Sequence, residues 1–155
     1  QRILKDSHCG AFSVVSVVFM ILAYYSVIST NLSMGLDFVD LCLIPVISRA
    51  VAGANVLLSR PIGHSQYAKG AGAEDMAQKK KASLLLLIQC IIFGGIGLYF
   101  ASHWVPSLMV MLVTAASGLV ACAYAKRSLG GMSGDIAGFS IVWAELFGVF
   151  AMLIL

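Results

Sequence analysis

The chain has 155 residues, of which 60% are apolar and 11% charged, and its mean hydropathy is +0.95. A soluble domain carries about 25% charged residues, so this composition excludes a water-facing enzyme, a disordered tail and a nucleic-acid reader. The net charge of +3 arises from ten Lys or Arg against seven Asp or Glu, and where the cations sit matters more than their sum.

A helix needs about 20 mostly apolar residues to cross a hydrocarbon core of about 30 Å, and in lipid it must satisfy its own backbone hydrogen bonds. In chain order, residues 11–28, 39–58, 82–100, 107–124 and 139–155 meet that requirement. The first is too long for a signal peptide, lacks its small-residue cleavage site and is followed by further spans. The expected fold is therefore all-α, a polytopic integral membrane helix bundle of about five helices, with residues 1–155 as a single membrane domain. Cys9, Cys42, Cys90 and Cys122 form no CxxC pair and read as buried apolar thiols.

The cations assign the sides. Arg2 and Lys5 precede the first span, Arg60, Lys69 and Lys79 to Lys81 lie between the second and third, and Lys126 and Arg127 lie between the fourth and fifth. The intervening loops 29–38 and 101–106 carry no Lys or Arg. By the positive-inside rule, the N-terminus and loops 59–81 and 125–138 face the cytoplasm.

Two ionisable residues interrupt the spans. Arg49 lies about 14 Å deep from the cytoplasmic end of the second span and Glu145 about 12 Å deep in the fifth, so they either pair or line a water-filled cavity. Asp37 and Asp40, spaced i, i+3 on the opposite side, share a helix face and read as a solvated helix start. His64 and His103 lie in loops without a second ligand nearby.

The segment 129–138, LGGMSGDIAG, stands between Lys126–Arg127 and the last span. Its glycines permit positive φ and close approach to a ligand, and the helix that follows offers free N–H groups and a positive dipole to phosphate. Asp135 either caps that helix or holds a divalent ion bridging to phosphate. A second polar patch, Lys5-Asp6-Ser7-His8-Cys9-Gly10, opens the first span on the same side, with Asp6 or Ser7 as a reasonable N-cap.

These residues carry a resemblance. Lys5-Asp6-Ser7 with Gly10 resembles the KDSxxG segment of the cobalamin 5′-phosphate synthase (adenosylcobinamide-GDP ribazoletransferase) family. Pro45 through Arg49, PVISR, and Tyr67-Ala68-Lys69 with AKGAGA are similar to its P-x-x-SR and YAR-glycine segments; Gly130-Gly131-Met132-Ser133-Gly134-Asp135, Gly138 and Glu145 are similar to its GGxTGDxxG signature with a trailing Glu. The resemblance implies a membrane enzyme of the inner membrane with its active site toward the cytoplasm. Such an enzyme joins adenosylcobinamide-GDP to α-ribazole or α-ribazole 5′-phosphate, releasing GMP with Mg²⁺. It implies Asp6, Asp135, Arg49 and Glu145 as catalytic residues, Asp6 and Asp135 also being candidate metal ligands. Lys5, Ser7, Lys69, Gly130, Gly131, Ser133 and Gly134 would then contact substrate, with membrane lipid as surroundings and no nucleic acid as partner.

The chain departs from the family pattern in three ways. Ser133 replaces Thr and keeps the hydroxyl, whereas His8 replaces Arg and weakens any phosphate contact there. No aspartate-rich LDGLADTADG-like segment precedes Lys5, so the chain reads as the C-terminal portion of a longer enzyme and is expected to be inactive alone. The alternatives are a CDP-alcohol-type membrane phosphotransferase, whose tandem DGxxAR-type motif is missing, and a small transporter subunit, for which no inverted repeat is visible.

Overall fold

The computed structural model describes residues 11–35, 37–59 and 73–155. These form α1 (Ala11–Met34), α2 (Phe38–Leu58), α3 (Ala73–Phe100), α4 (Trp104–Leu129) and α5 (Gly134–Ile154). Each is long and apolar enough to cross a membrane, as the composition requires.

The chain divides into two compact units at residues 36 and 37. The first holds α1, whose polar side chains turn back onto their own helix. Ser16 Oγ donates to Phe12 O at 2.8 Å, Thr30 Oγ1 to Ser26 O at 2.9 Å and Asn31 Nδ2 to Val27 O at 3.0 Å. Such back-bonding satisfies hydroxyls and amides where lipid cannot.

In the second unit α2 packs against α3, α4 and α5, and α4 lies along α5. Lipid tails are as apolar as the side chains, so helices associate here through close packing rather than hydrophobic collapse. Small residues provide the closeness. A Cβ on Gly148 of α5 would meet Thr114 Oγ1 of α4 and lie 3.1 Å from Ile44 of α2; one on Gly118 would lie 3.1 Å from Ala144 Cβ. Ile44, Thr114, Ala144 and Val149 have no exposure at all in this seam.

The helices run further than the hydropathy reading places them. α1 continues to Met34, α4 begins at Trp104, and α3 begins at Ala73, so Lys79 to Lys81 lie on its first turns rather than in a loop. Long lysine stems cover apolar helix surface while their charges reach water, which lets a helix outrun its apolar stretch. The α2 start differs too. Asp37 is the N-cap, accepting from Val39 N at 3.0 Å, and its other oxygen accepts from Ser102 N at 3.0 Å. Asp40 is not solvated as expected: it is buried, and its Oδ1 has no hydrogen-bond partner.

Candidate functional site at one end of the bundle

The ends of α2 and α4 and the start of α5 meet beneath the short connection 130–133. α4 stops at Gly130, whose φ of +78° is open to glycine without a Cβ penalty and whose N–H returns to Lys126 O at 2.9 Å. Met132 then turns inward, 1% exposed, onto Cys122, Ala125 and Ile136; its sulfur lies 4.0 Å from Cys122 Sγ. This apolar plug fixes the connection from below, leaving its polar residues on the outer side.

Ser133 is the N-cap of α5. Its Oγ accepts from Ile136 N at 3.4 Å and its carbonyl from Ala137 N at 3.2 Å. The cap reading of Asp135 is thereby corrected. The helix begins at Gly134, earlier than expected, which puts Asp135 in its first turn with an exposed side chain. A carboxylate there is favoured by the helix dipole, and its oxygens are not consumed by capping. The glycine reading narrows as well: in this segment only Gly130 has positive φ, while Gly134 and Gly138 are helical.

Across this end, Lys126 Nζ reaches α2, donating to Asn55 Oδ1 at 3.1 Å and Ser59 Oγ at 3.0 Å. Asn55 Nδ2 donates to Val51 O at 3.0 Å, which turns its amide oxygen toward the lysine. The sequence marks Lys126 as a cytoplasmic-loop cation, one of a group able to help offset phosphate charge, but does not single it out and gives no role to Asn55 or Ser59. The signal available was an i, i+4 pair of polar residues at the end of an apolar span.

Deeper in the bundle, Arg49 of α2 and Glu145 of α5 pair directly, Nη1 to Oε1 at 2.5 Å. Arg49 Nη1 also donates to Pro45 O at 3.2 Å, and Ser48 Oγ donates to Glu145 Oε1 at 3.0 Å. Arg49 keeps 61% of its side chain exposed against 21% for Glu145. It also lines a cleft of about 260 Å³ between α2 and α3, beside Gln89 and Cys90. Of the two expectations for these charges the direct pair holds; the cleft is lined by Arg49 but not by Glu145.

Asp135 and Glu145 are ten residues apart on one helix, about 15 Å along its axis, so they do not share a ligand atom. The structure brings Gly130, Gly131, Ser133, Gly134 and Asp135 to one end and Arg49 and Glu145 to mid-span. Lys5, Asp6, Ser7 and Lys69 lie outside the described residues. Among the described residues no group of three His, Cys, Asp or Glu is placed to hold a metal ion.

The comparisons with known proteins bear on this arrangement. The adenosylcobinamide-GDP ribazoletransferase of Clostridium perfringens (strain 13 / Type A) is 33% identical over 152 residues, covering 96% of this chain and 57% of its own. That of Clostridium botulinum (strain Alaska E43 / Type E3) is 30% identical over 154 residues, covering 97% of this chain and 58% of its own. A protein of the same name from Geobacillus sp. (strain WCH70) is 24% identical over 146 residues, 94% of this chain and 55% of its own. The chain thus spans a little over half the length of the curated relatives it matches. No solved structure matches it. The sequence profile described as cobalamin-5-phosphate synthase matches residues 1–153, which takes in both the bundle-end cluster and the mid-span pair, and the chain belongs to that family.

Proposed function

We propose that this chain is the C-terminal part of an adenosylcobinamide-GDP ribazoletransferase. The whole enzyme joins the adenosylcobinamide-phosphate moiety of adenosylcobinamide-GDP to α-ribazole or its 5′-phosphate and releases GMP. The observation that carries the reading is the family match over residues 1–153. The relatives do not favour the CDP-alcohol or transporter alternatives.

The chemistry asked of this end is modest. A ribazole hydroxyl attacks the cobinamide-linked phosphorus and the GMP oxygen leaves in line, so no side-chain nucleophile is needed. Positioning and charge stabilisation supply the catalysis. With Ser133 taking the Ile136 and Ala137 N–H groups, those of Gly134 and Asp135 would orient phosphate oxygens. Glu145 would hold Arg49 in place at the cleft between α2 and α3. The side chains suit Mg²⁺: a single exposed carboxylate, Asp135, matches an ion that keeps several waters and shares substrate phosphates rather than one caged by protein, and Asp6 would be a second ligand. When bound, Mg²⁺ would offset charge on the phosphate oxygens.

The enzyme would sit in a prokaryotic inner membrane with the 130–133 connection in the cytoplasm. Membranes carrying the full-length protein should release GMP from adenosylcobinamide-GDP only when α-ribazole or its phosphate and Mg²⁺ are supplied. Asp135→Asn should lower turnover at limiting Mg²⁺ by about tenfold or more; near-normal turnover removes the metal role. Labelling of Ser128→Cys by a membrane-impermeant maleimide added outside intact cells overturns the orientation.

A further inference from the structure

Lys126 is placed differently from a lysine that only marks topology. It is half-buried at the last turn of α4, and the two acceptors of its ammonium are uncharged oxygens from α2, Asn55 Oδ1 at 3.1 Å and Ser59 Oγ at 3.0 Å. The Asn55 amide is itself held by Val51 O, and the Ser59 N–H by Asn55 O at 3.0 Å. The lysine is therefore aimed by a supported pair of neutral groups. Among the described residues no carboxylate pairs with it, and one of its three N–H donors is left over.

The same residue's carbonyl closes the Gly130 turn at 2.9 Å, so Lys126 joins the end of α4 to the connection that leads into the α5 N-terminus. Arg49 makes the contrast. Its guanidinium is paired with a carboxylate, Glu145, whereas among the described residues the ammonium of Lys126 is oriented by neutral oxygens alone. A compact cation oriented in this way, at the end of the bundle where α5 begins, suits the oxygens of a phosphate.

We infer that Lys126, aimed by Asn55 and Ser59, is a substrate-binding residue that contacts phosphate oxygens of the pyrophosphate-bearing substrate. The inference rests on the proposed transferase reading for the identity of that substrate, but not for the anion site itself.

The test uses the full-length protein in phosphatidylcholine nanodiscs with inorganic pyrophosphate as the probe. Pyrophosphate should raise the unfolding temperature of the unaltered protein. The rise should disappear in Lys126→Met, shrink in Asn55→Leu and survive in part in Lys126→Arg. In the transfer assay, Lys126→Met should raise KM for adenosylcobinamide-GDP about tenfold to a hundredfold, with kcat within about threefold.

A lysine that merely ties α4 to α2 would change the unfolding temperature itself and leave the pyrophosphate-induced rise in place. That outcome overturns the inference. So does stabilisation that depends on phosphatidylglycerol in the disc and not on pyrophosphate, which would make the site one for lipid headgroups. If Lys126→Met does not fold, Asn55→Leu carries the test, and an unchanged pyrophosphate response in it overturns the inference. A Lys126-dependent response in a protein that transfers no ribazole upholds the anion site and removes the transferase reading instead.

Discussion

The mid-span of the bundle and its 130–133 end handle charge in opposite ways. At mid-span Arg49 faces Glu145, with Ser48 adding a donor to the same carboxylate oxygen; at the end, Lys126 rests on neutral oxygens and Asp135 is exposed. Depth explains the difference. An uncompensated charge at the centre of a span costs about 2.5 to 3.5 kcal/mol, so the deep cation is paired, whereas water near the end relieves that demand and leaves charge available to a ligand.

The comparison can be broken most forcefully at its deep half. Glu145→Leu should destabilise the second unit by about 3 kcal/mol, because it strands Arg49. The double variant Arg49→Leu, Glu145→Leu should recover most of that loss, since replacing both members of a pair with apolar residues is close to neutral. Unfolding in nanodiscs measures both, and a double variant no better folded than Glu145→Leu would mean that the pair is not the source of the effect.

The packing that brings the two helices together is tested next. Gly148→Ala forces a methyl group toward Thr114 and Ile44 and should cost about 2 kcal/mol by separating α4 from α5. Gly138→Ala, where a Cβ meets nothing within 4 Å, should be near neutral or slightly stabilising, Ala being the better helix former. Equal losses at both glycines would show that the seam is not set by this contact.

The smallest effect lies at the opposite end of the bundle. Burial alone would raise the Asp37 carboxyl, but the N–H groups of Ser102 and Val39 and the nearby His103 outweigh it and hold it below its ordinary value. A carboxyl whose folded pKa is lowered stabilises the fold above its unfolded pKa of about 3.9 and loses that contribution as pH falls through the folded value. Stability measured from pH 6 downward should therefore fall less steeply in Asp37→Asn below about pH 4. Identical slopes would leave Asp37 without a role in acid sensitivity.

Hydropathy made the five spans legible, and similar depths allowed Arg49 and Glu145 to meet, because counting residues along helices measures distance when the ends are level; whether they paired or lined a cavity stayed open. It did not place the helix ends. Lys79 to Lys81 and the glycines of 134–138 look like loop to a composition window, yet lysine stems and a Ser133 cap let the helices run through them. Asp40 was misplaced for a related reason: its i, i+3 spacing from Asp37 is the same whether the shared face meets water or, as here, the interior of the bundle. The Lys126, Asn55 and Ser59 cluster joins residues about 70 positions apart, and periodicity within a helix carries no information about which neighbour that helix will meet.

The brevity of the link between α4 and α5 bears on how the protein is made. With Gly130 in the left-handed region and Met132 seated on Cys122, the two helices need only local chain closure to find each other, the kind that forms soonest. This hairpin should enter the bilayer as a pair and offer α2 a ready-made wall. A side chain at position 130 would then reveal itself first as slower biogenesis, before any loss of activity in the molecules that do assemble.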